Sequence, residues 1–100
     1  MEAVESFIKE NQLSFIYVLM ESWSVCHGLL PQVEDILKEY PRIKIGVVDA
    51  ANVPEIAGYL MAFTVPVLVL YLDGKEILRE ARMVHLERFQ EQIDKIYHAI

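Results

Sequence analysis

The sequence predicts an α/β fold of order αβαβαββα, with a mixed four-stranded sheet covered by helices on both faces. Three observations carry that expectation. FIYVLM (15–20) and VPVLVLYL (65–72) are apolar without a polar face, as in strands covered on both sides. Segments with helical spacing alternate with these runs and with the strand-like IKIGVVD (43–49). Finally, Asp73-Gly74 separates VLVLYL from KEILREA and supplies the positive-φ residues of a tight hairpin.

Each element follows in order. Val4, Phe7 and Ile8 mark a short first helix that ends near Asn11. LSFIYVLM (13–20) is the first strand. A second helix runs from about Ser24 to Tyr40, with Leu30, Val33, Ile36, Leu37 and Tyr40 as its apolar stripe. Pro31 lies inside that helix, where it removes one backbone donor and should bend the axis, and Pro41 stops it. IKIGVVD (43–49) returns as a strand, so the βαβ unit from 13 to 49 favours parallel neighbours. NVPEIAGYLMAF (52–63) is a third helix started near Pro54, where a missing N–H costs little. VLVLYL (67–72) and KEILREA (75–81) form the antiparallel hairpin. Leu86, Phe89, Ile93, Ile96, Tyr97 and Ile100 recur at helical spacing and define the last helix.

The bulk numbers narrow the function classes. One hundred residues suit a single domain, and no composition break or repeat divides them. Both apolar runs are far shorter than the ~20 residues of a membrane helix, so no membrane partner is expected. The amino terminus, MEAVESF, has neither a basic segment nor a cleavage pattern, so no secretory signal is expected. Nine Lys and Arg against fifteen Asp and Glu give a net charge of −6, which repels phosphate backbones, and no nucleic-acid partner is expected. A single cysteine excludes an internal disulfide and fits the cytoplasm. His27, His85 and His98 show no ligand spacing, and neither a metal nor a cofactor is expected.

Across almost its whole length the chain resembles the thioredoxin-fold family. The likeness rests on SWSVCHGLLP (22–31) and FTVPVLVLYLDGKE (63–76). In that family a strand runs into W-C-x-x-C at the start of a helix, and a proline follows five residues after the second cysteine. Cys26 and Pro31 have that spacing. A cis-proline follows the third helix in the family, and Val65-Pro66 stands there. IAGYLMAFTVP (56–66) is similar to the family's helix-to-cis-proline segment.

The departures are equally specific. The family's usual first strand is missing, which leaves strand 43–49 at an open edge where a second copy of the chain can pair, or where side chains or a loop cap it. Two alignments of the motif compete. Anchoring on Trp23 as the family's tryptophan needs a one-residue deletion within a helix, which rotates everything after it by about 100°. Anchoring on Pro31 needs no gap and places Cys26 at the second cysteine, with Trp23 at the first. The second alignment is adopted, so the motif reads as a degenerate C-x-x-C, Trp23-Ser24-Val25-Cys26.

Disulfide exchange needs an attacking thiolate and a second thiol that resolves the mixed disulfide. An indole does neither. The resemblance also implies a buried carboxylate six residues before the first cysteine, where this chain has Tyr17, a poor proton acceptor at neutral pH. It therefore implies thiol–disulfide redox work, in cell redox homeostasis, with Cys26 as the residual thiol and weak or no dithiol turnover. Protein thiols and disulfides would be its partners. The alternative is a non-catalytic peptide-binding or assembly module, in which Trp23, Val65 and Pro66 line a groove for an extended peptide. Cys26 itself reads either as a small inert core residue or as a monothiol at a helix start.

Overall fold

The computed structural model describes residues 1–20, 24–61, 65–81 and 84–100, with the backbone alone for 24–27. The elements are α1 (Glu2–Glu10), β1 (Leu13–Leu19), α2 (Ser24–Leu37), β2 (Ile43–Asp49), α3 (Glu55–Leu60), β3 (Val67–Leu72), β4 (Lys75–Ala81) and α4 (Leu86–Ala99). The strands form one four-stranded sheet in the order β2-β1-β3-β4. β1 pairs parallel with β2 and antiparallel with β3, and β3 pairs antiparallel with β4. The expected α/β arrangement is therefore present.

β1 is apolar at every position but Ser14 because it has no solvent side. All seven of its residues are buried. Leu13, Phe15, Tyr17 and Leu19 pack with Val33 and Leu37 of α2 and with Phe89 and Ile93 of α4. Ile16 and Val18 face the other way, against Val4 and Ile8 of α1 and Ile56 and Leu60 of α3. β3 splits in the same manner, with Leu68 and Leu70 on the first face and Val67, Val69 and Tyr71 on the second. The two-residue period of a strand thus divides the core into two layers. Full burial of each such side chain contributes about 1.5–3 kcal/mol.

Ser14 is the polar exception on β1, with 0% exposure. Its hydroxyl lies 3.3 Å from the Phe7 carbonyl, 3.4 Å from that of Asn11 and 3.5 Å from that of Ile8. These are carbonyls at the end of α1, where the helix has no further amides to offer. The Asn11 side-chain amide satisfies the Phe7 carbonyl as well, at 2.9 Å. Ser14→Ala is expected to lower stability by about 1 kcal/mol, measured by urea unfolding.

Two helices are shorter than the periodicity predicts. α2 ends at Leu37, and the amides of Glu39 and Tyr40 then donate three residues back, to Ile36 and Leu37. The chain tightens ahead of Pro41, which disfavours helical backbone in the residue before it. Tyr40 still packs inward, and its hydroxyl donates to Asp94 Oδ1 at 2.9 Å. Before α3, Asp49 holds a turn: its carbonyl accepts from Asn52 and Val53, and its carboxylate accepts from the Ala51 amide at 2.8 Å. Regular helix therefore begins only after Pro54. It closes at Met61, whose left-handed backbone (φ 54°) lets its amide reach the carbonyls of Ala57 and Gly58. Residues 62 and 63 of the predicted helix lie outside the described residues.

The hairpin joins β3 to β4 through Asp73 and Gly74, both at positive φ (51° and 83°). β4 is an edge strand with a bulge: Leu70 faces Leu78 while Tyr71 faces Glu76, so Ile77 is the extra residue. On this strand the Arg79 guanidinium donates twice to Glu76, at 2.7 and 3.0 Å, and the first effect of that bond is to hold the Glu76 carboxyl below its usual range.

Nearby, burial first, then Tyr59 and Glu76, push the Tyr71 hydroxyl up to about 12, with a partial offset from Arg79. A folded value above the ordinary 10.0 means that Tyr71 stabilises the fold fully below that pH. The contribution is lost as pH rises through about 12. Tyr71→Phe is expected to flatten the fall of the urea midpoint across this alkaline window. An unchanged slope would contradict the assignment.

Candidate functional site

The sheet positions the residues that the motif alignment singles out. β1 delivers the chain at Leu19, beside Asp49 of β2, and Val18 pairs with Val67 at the start of β3. The segment that leads into α2 and the segment that leads into β3 therefore meet the sheet at the same end. Cys26 is the third residue of α2, and Pro31 lies five residues further along the same helix. Trp23 lies outside the described residues, as do the side chains of Ser24, Val25, Cys26 and His27.

On the other side of this end, the Val65–Pro66 peptide bond is cis. Pro66 is buried, and Val65 is half-buried against both layers of the core. Tyr17, which the motif alignment on Pro31 would set at the family's carboxylate position, has 0% exposure in the layer beneath α2 and α4. The first turn of a helix carries amides without intrahelical acceptors, and the helix dipole adds positive potential there. A thiolate in that turn is stabilised relative to a thiol in bulk water.

Two residues near the end of α3 are exposed although the motif gives no sign of them. Met61 is 81% exposed and closes α3 just before the segment that leads to Val65. Tyr59, two residues earlier, is 44% exposed. Helical spacing alone reads both as parts of an ordinary helix, and only their exposure separates them from Ile56 and Leu60, which are buried at 1% and 2%.

The polar network around α4 is at the opposite end of the sheet, near the start of β2. Tyr40 and Tyr97 stack edge to face at 5.0 Å, the Arg42 amide donates to the Tyr97 hydroxyl at 3.2 Å, and the Arg42 guanidinium reaches Gln12 at 2.9 Å. Burial, with the Asp94 hydrogen bond second, raises the Tyr40 hydroxyl above its ordinary value. This cluster anchors α4 to the end of α2. Among the described residues no group of three or more His, Cys, Asp or Glu is placed to hold a metal, and no helix is long and apolar enough to cross a membrane.

No family model matches the chain. A thioredoxin-like protein of Bacillus subtilis, YdfQ, is 45% identical over 95 residues, spanning 95% of this chain and 85% of the relative. Thioredoxin 1 of Thermosipho africanus superposes with a TM-score of 0.78 at 27% identity, over 86% of this chain and 96% of that one. A Plasmodium falciparum thioredoxin reaches a TM-score of 0.84 at 20% identity, over 95% and 92% of the two chains, and speaks for the fold alone. The arrangement of strands, the cis-proline ahead of β3 and a relative of this identity along nearly the full chain agree: the chain belongs to the thioredoxin-like family.

Proposed function

We propose that the chain carries out thiol–disulfide redox work in the cytoplasm as a single domain with one thiol, Cys26, and with weak or no dithiol turnover. One observation carries the reading: the sequence of a thioredoxin-like protein holds a single cysteine, and it falls in the first turn of the helix that follows the central strand. The chemistry is limited accordingly. The Cys26 thiolate attacks a disulfide of a partner, forming a mixed disulfide and releasing the partner's other sulfur as a thiolate. Trp23, at the leading motif position, offers no second thiol to displace the product. A thiol from solution or from another protein must complete the cycle.

A second reading has its own support. Val65 and Pro66, with the exposed Met61 just before them, suit an extended peptide at this end of the sheet, and Trp23 would add an aromatic contact. In this reading the protein is a binding or assembly module, and the open edge at Ile43–Asp49 accepts a second copy.

Alkylation of the native protein with iodoacetamide separates the two. The redox reading expects Cys26 to be modified without denaturant, whereas modification that waits for unfolding would remove it. Peptide capture that is lost with Trp23→Ala and kept with Cys26→Ala would favour the binding module.

A further inference from the structure

We infer that β2 is a self-complementary edge, joining two copies antiparallel about Gly46 with Ile45 of each opposite Val47 of the other. The inference rests on the edge-pairing reading above and assigns its register.

The backbone groups of β2 decide the matter. In a strand the N–H and C=O of one residue point to the same side, and successive residues alternate. The Ala50 amide donates to the Leu19 carbonyl of β1 at 2.8 Å. The even-numbered residues of β2 therefore turn their groups inward, and Ile43, Ile45, Val47 and Asp49 turn theirs outward. Two of the outward groups are already used at the strand's ends. The Ile43 amide donates to Tyr40 at 3.0 Å, and the Asp49 carbonyl accepts from Asn52 and Val53 at 3.0 Å each. What remains is the Ile43 carbonyl, both groups of Ile45, both groups of Val47 and the Asp49 amide. Among the described residues none of these has a hydrogen-bond partner.

Two copies related by a two-fold axis at Gly46 match this pattern completely. Ile45 and Val47 of opposite copies exchange both of their bonds. The Asp49 amide of one copy finds the Ile43 carbonyl of the other. The one position that would need a further donor, Ile43, then faces the one that has no acceptor to spare, Asp49. Neighbouring registers fail on the same groups. Setting Ile45 opposite itself leaves the Val47 carbonyl facing the occupied Ile43 amide. Setting Val47 opposite itself leaves the Ile45 amide facing the occupied Asp49 carbonyl.

Side chains agree with the backbone. Val47 is 48% exposed, and in this register it covers Ile45, which lies partly buried against the core, a favourable pair of β-branched residues. At the axis, backbones approach to about 4.5 Å in the non-bonded pair, and there the residue is glycine. A Cβ at Gly46 would lie 3.2 Å from both Phe7 and Ile16, so the position is already covered on its inner side. Beside it lies an apolar hollow of about 190 Å³ lined by Phe7, Ile16, Gly46 and Val48, which the second copy would close. The other edge of the sheet, β4, carries a bulge at Ile77 and the charges Lys75, Glu76, Arg79 and Glu80, devices that discourage pairing. β2 carries Lys44 alone between its ends.

Sedimentation velocity on the full chain is the first test, with the mass of two 11.6 kDa chains expected. Val47→Pro deletes an outward N–H and leaves the bonds to β1 untouched. It is expected to sediment as one chain with an unchanged far-UV spectrum, and Val47→Lys is expected to do the same without any backbone change. Register is read in a Cys26→Ala background. Ile45→Cys and Val47→Cys proteins, each alone, are expected to resist oxidative cross-linking, and their mixture to cross-link, since bonded cross-strand Cα atoms at about 5.5 Å suit a disulfide. Cross-linking of either protein alone would overturn the register and leave edge pairing standing. A single-chain mass up to millimolar protein would overturn both.

Discussion

Trp23→Cys is expected to switch on dithiol chemistry in this chain. A thiol at that position lies three residues before Cys26, the spacing of a C-x-x-C motif, and closes the exchange cycle internally. The new thiol attacks a substrate disulfide, Cys26 attacks the resulting mixed disulfide, and the reduced substrate leaves. Before the substitution, the second step depends on an external thiol at millimolar concentration. Carried on the same chain three residues away, Cys26 acts at a far higher effective concentration, and a rise on the order of 100-fold in the resolving step is expected. The variant should also lose both free thiols on mild oxidation while the parent keeps its one. A variant with two thiols that never pair would show that position 23 is not the partner of Cys26.

Phe89→Ala is expected to produce the largest loss of stability. Phe89 has 0% exposure at the centre of the layer between the sheet and the helices α2 and α4, and its ring meets that of Phe15 edge to face at 5.7 Å. Truncation removes its burial, leaves a cavity and breaks that ring pair, with a combined cost of about 4 kcal/mol. Domains of ordinary stability hold about 5–15 kcal/mol, so the variant lies near the unfolding threshold. With a urea slope of about 1–3 kcal/mol per molar, its midpoint should fall by roughly 2 M. A shift of a few tenths of a molar would mean that α4 packs less tightly than its exposure indicates.

The sheet was legible because its strands differ in what covers them. LSFIYVL has no polar face and became the fully buried centre, and Asp73-Gly74 became a turn with two positive φ values. The limits of α2 and α3 were not legible from spacing. Tyr40 keeps the helical spacing of the apolar stripe although the helix has ended, because it packs inward from a tightened turn ahead of Pro41. Asn52 and Val53 look like the start of a helix, but both amides are taken by the Asp49 carbonyl. Long-range polar contacts left no local trace either: Tyr40 and Asp94 are 54 residues apart, and the hydroxyl of Ser14 caps a helix from a strand.

The candidate site was legible as landmarks, namely Cys26, Pro31, Val65 and Pro66, each tied to an element whose order is distinctive. Exposure at Met61 and Tyr59 was not, since apolar residues at a helix end read alike whether covered or open. The free backbone of β2 was legible only as an absence of a neighbouring strand. Which of its groups remain available depends on the turns at Tyr40 and Asp49, which only three-dimensional contacts reveal.

Reduction of insulin disulfides with dithiothreitol as the electron source examines the inferred loss of the leading nucleophile most directly. The chain as it stands is expected to precipitate insulin no faster than dithiothreitol alone. Robust catalysis by the unaltered protein would contradict the alignment on Pro31 and, with it, the role given to Trp23.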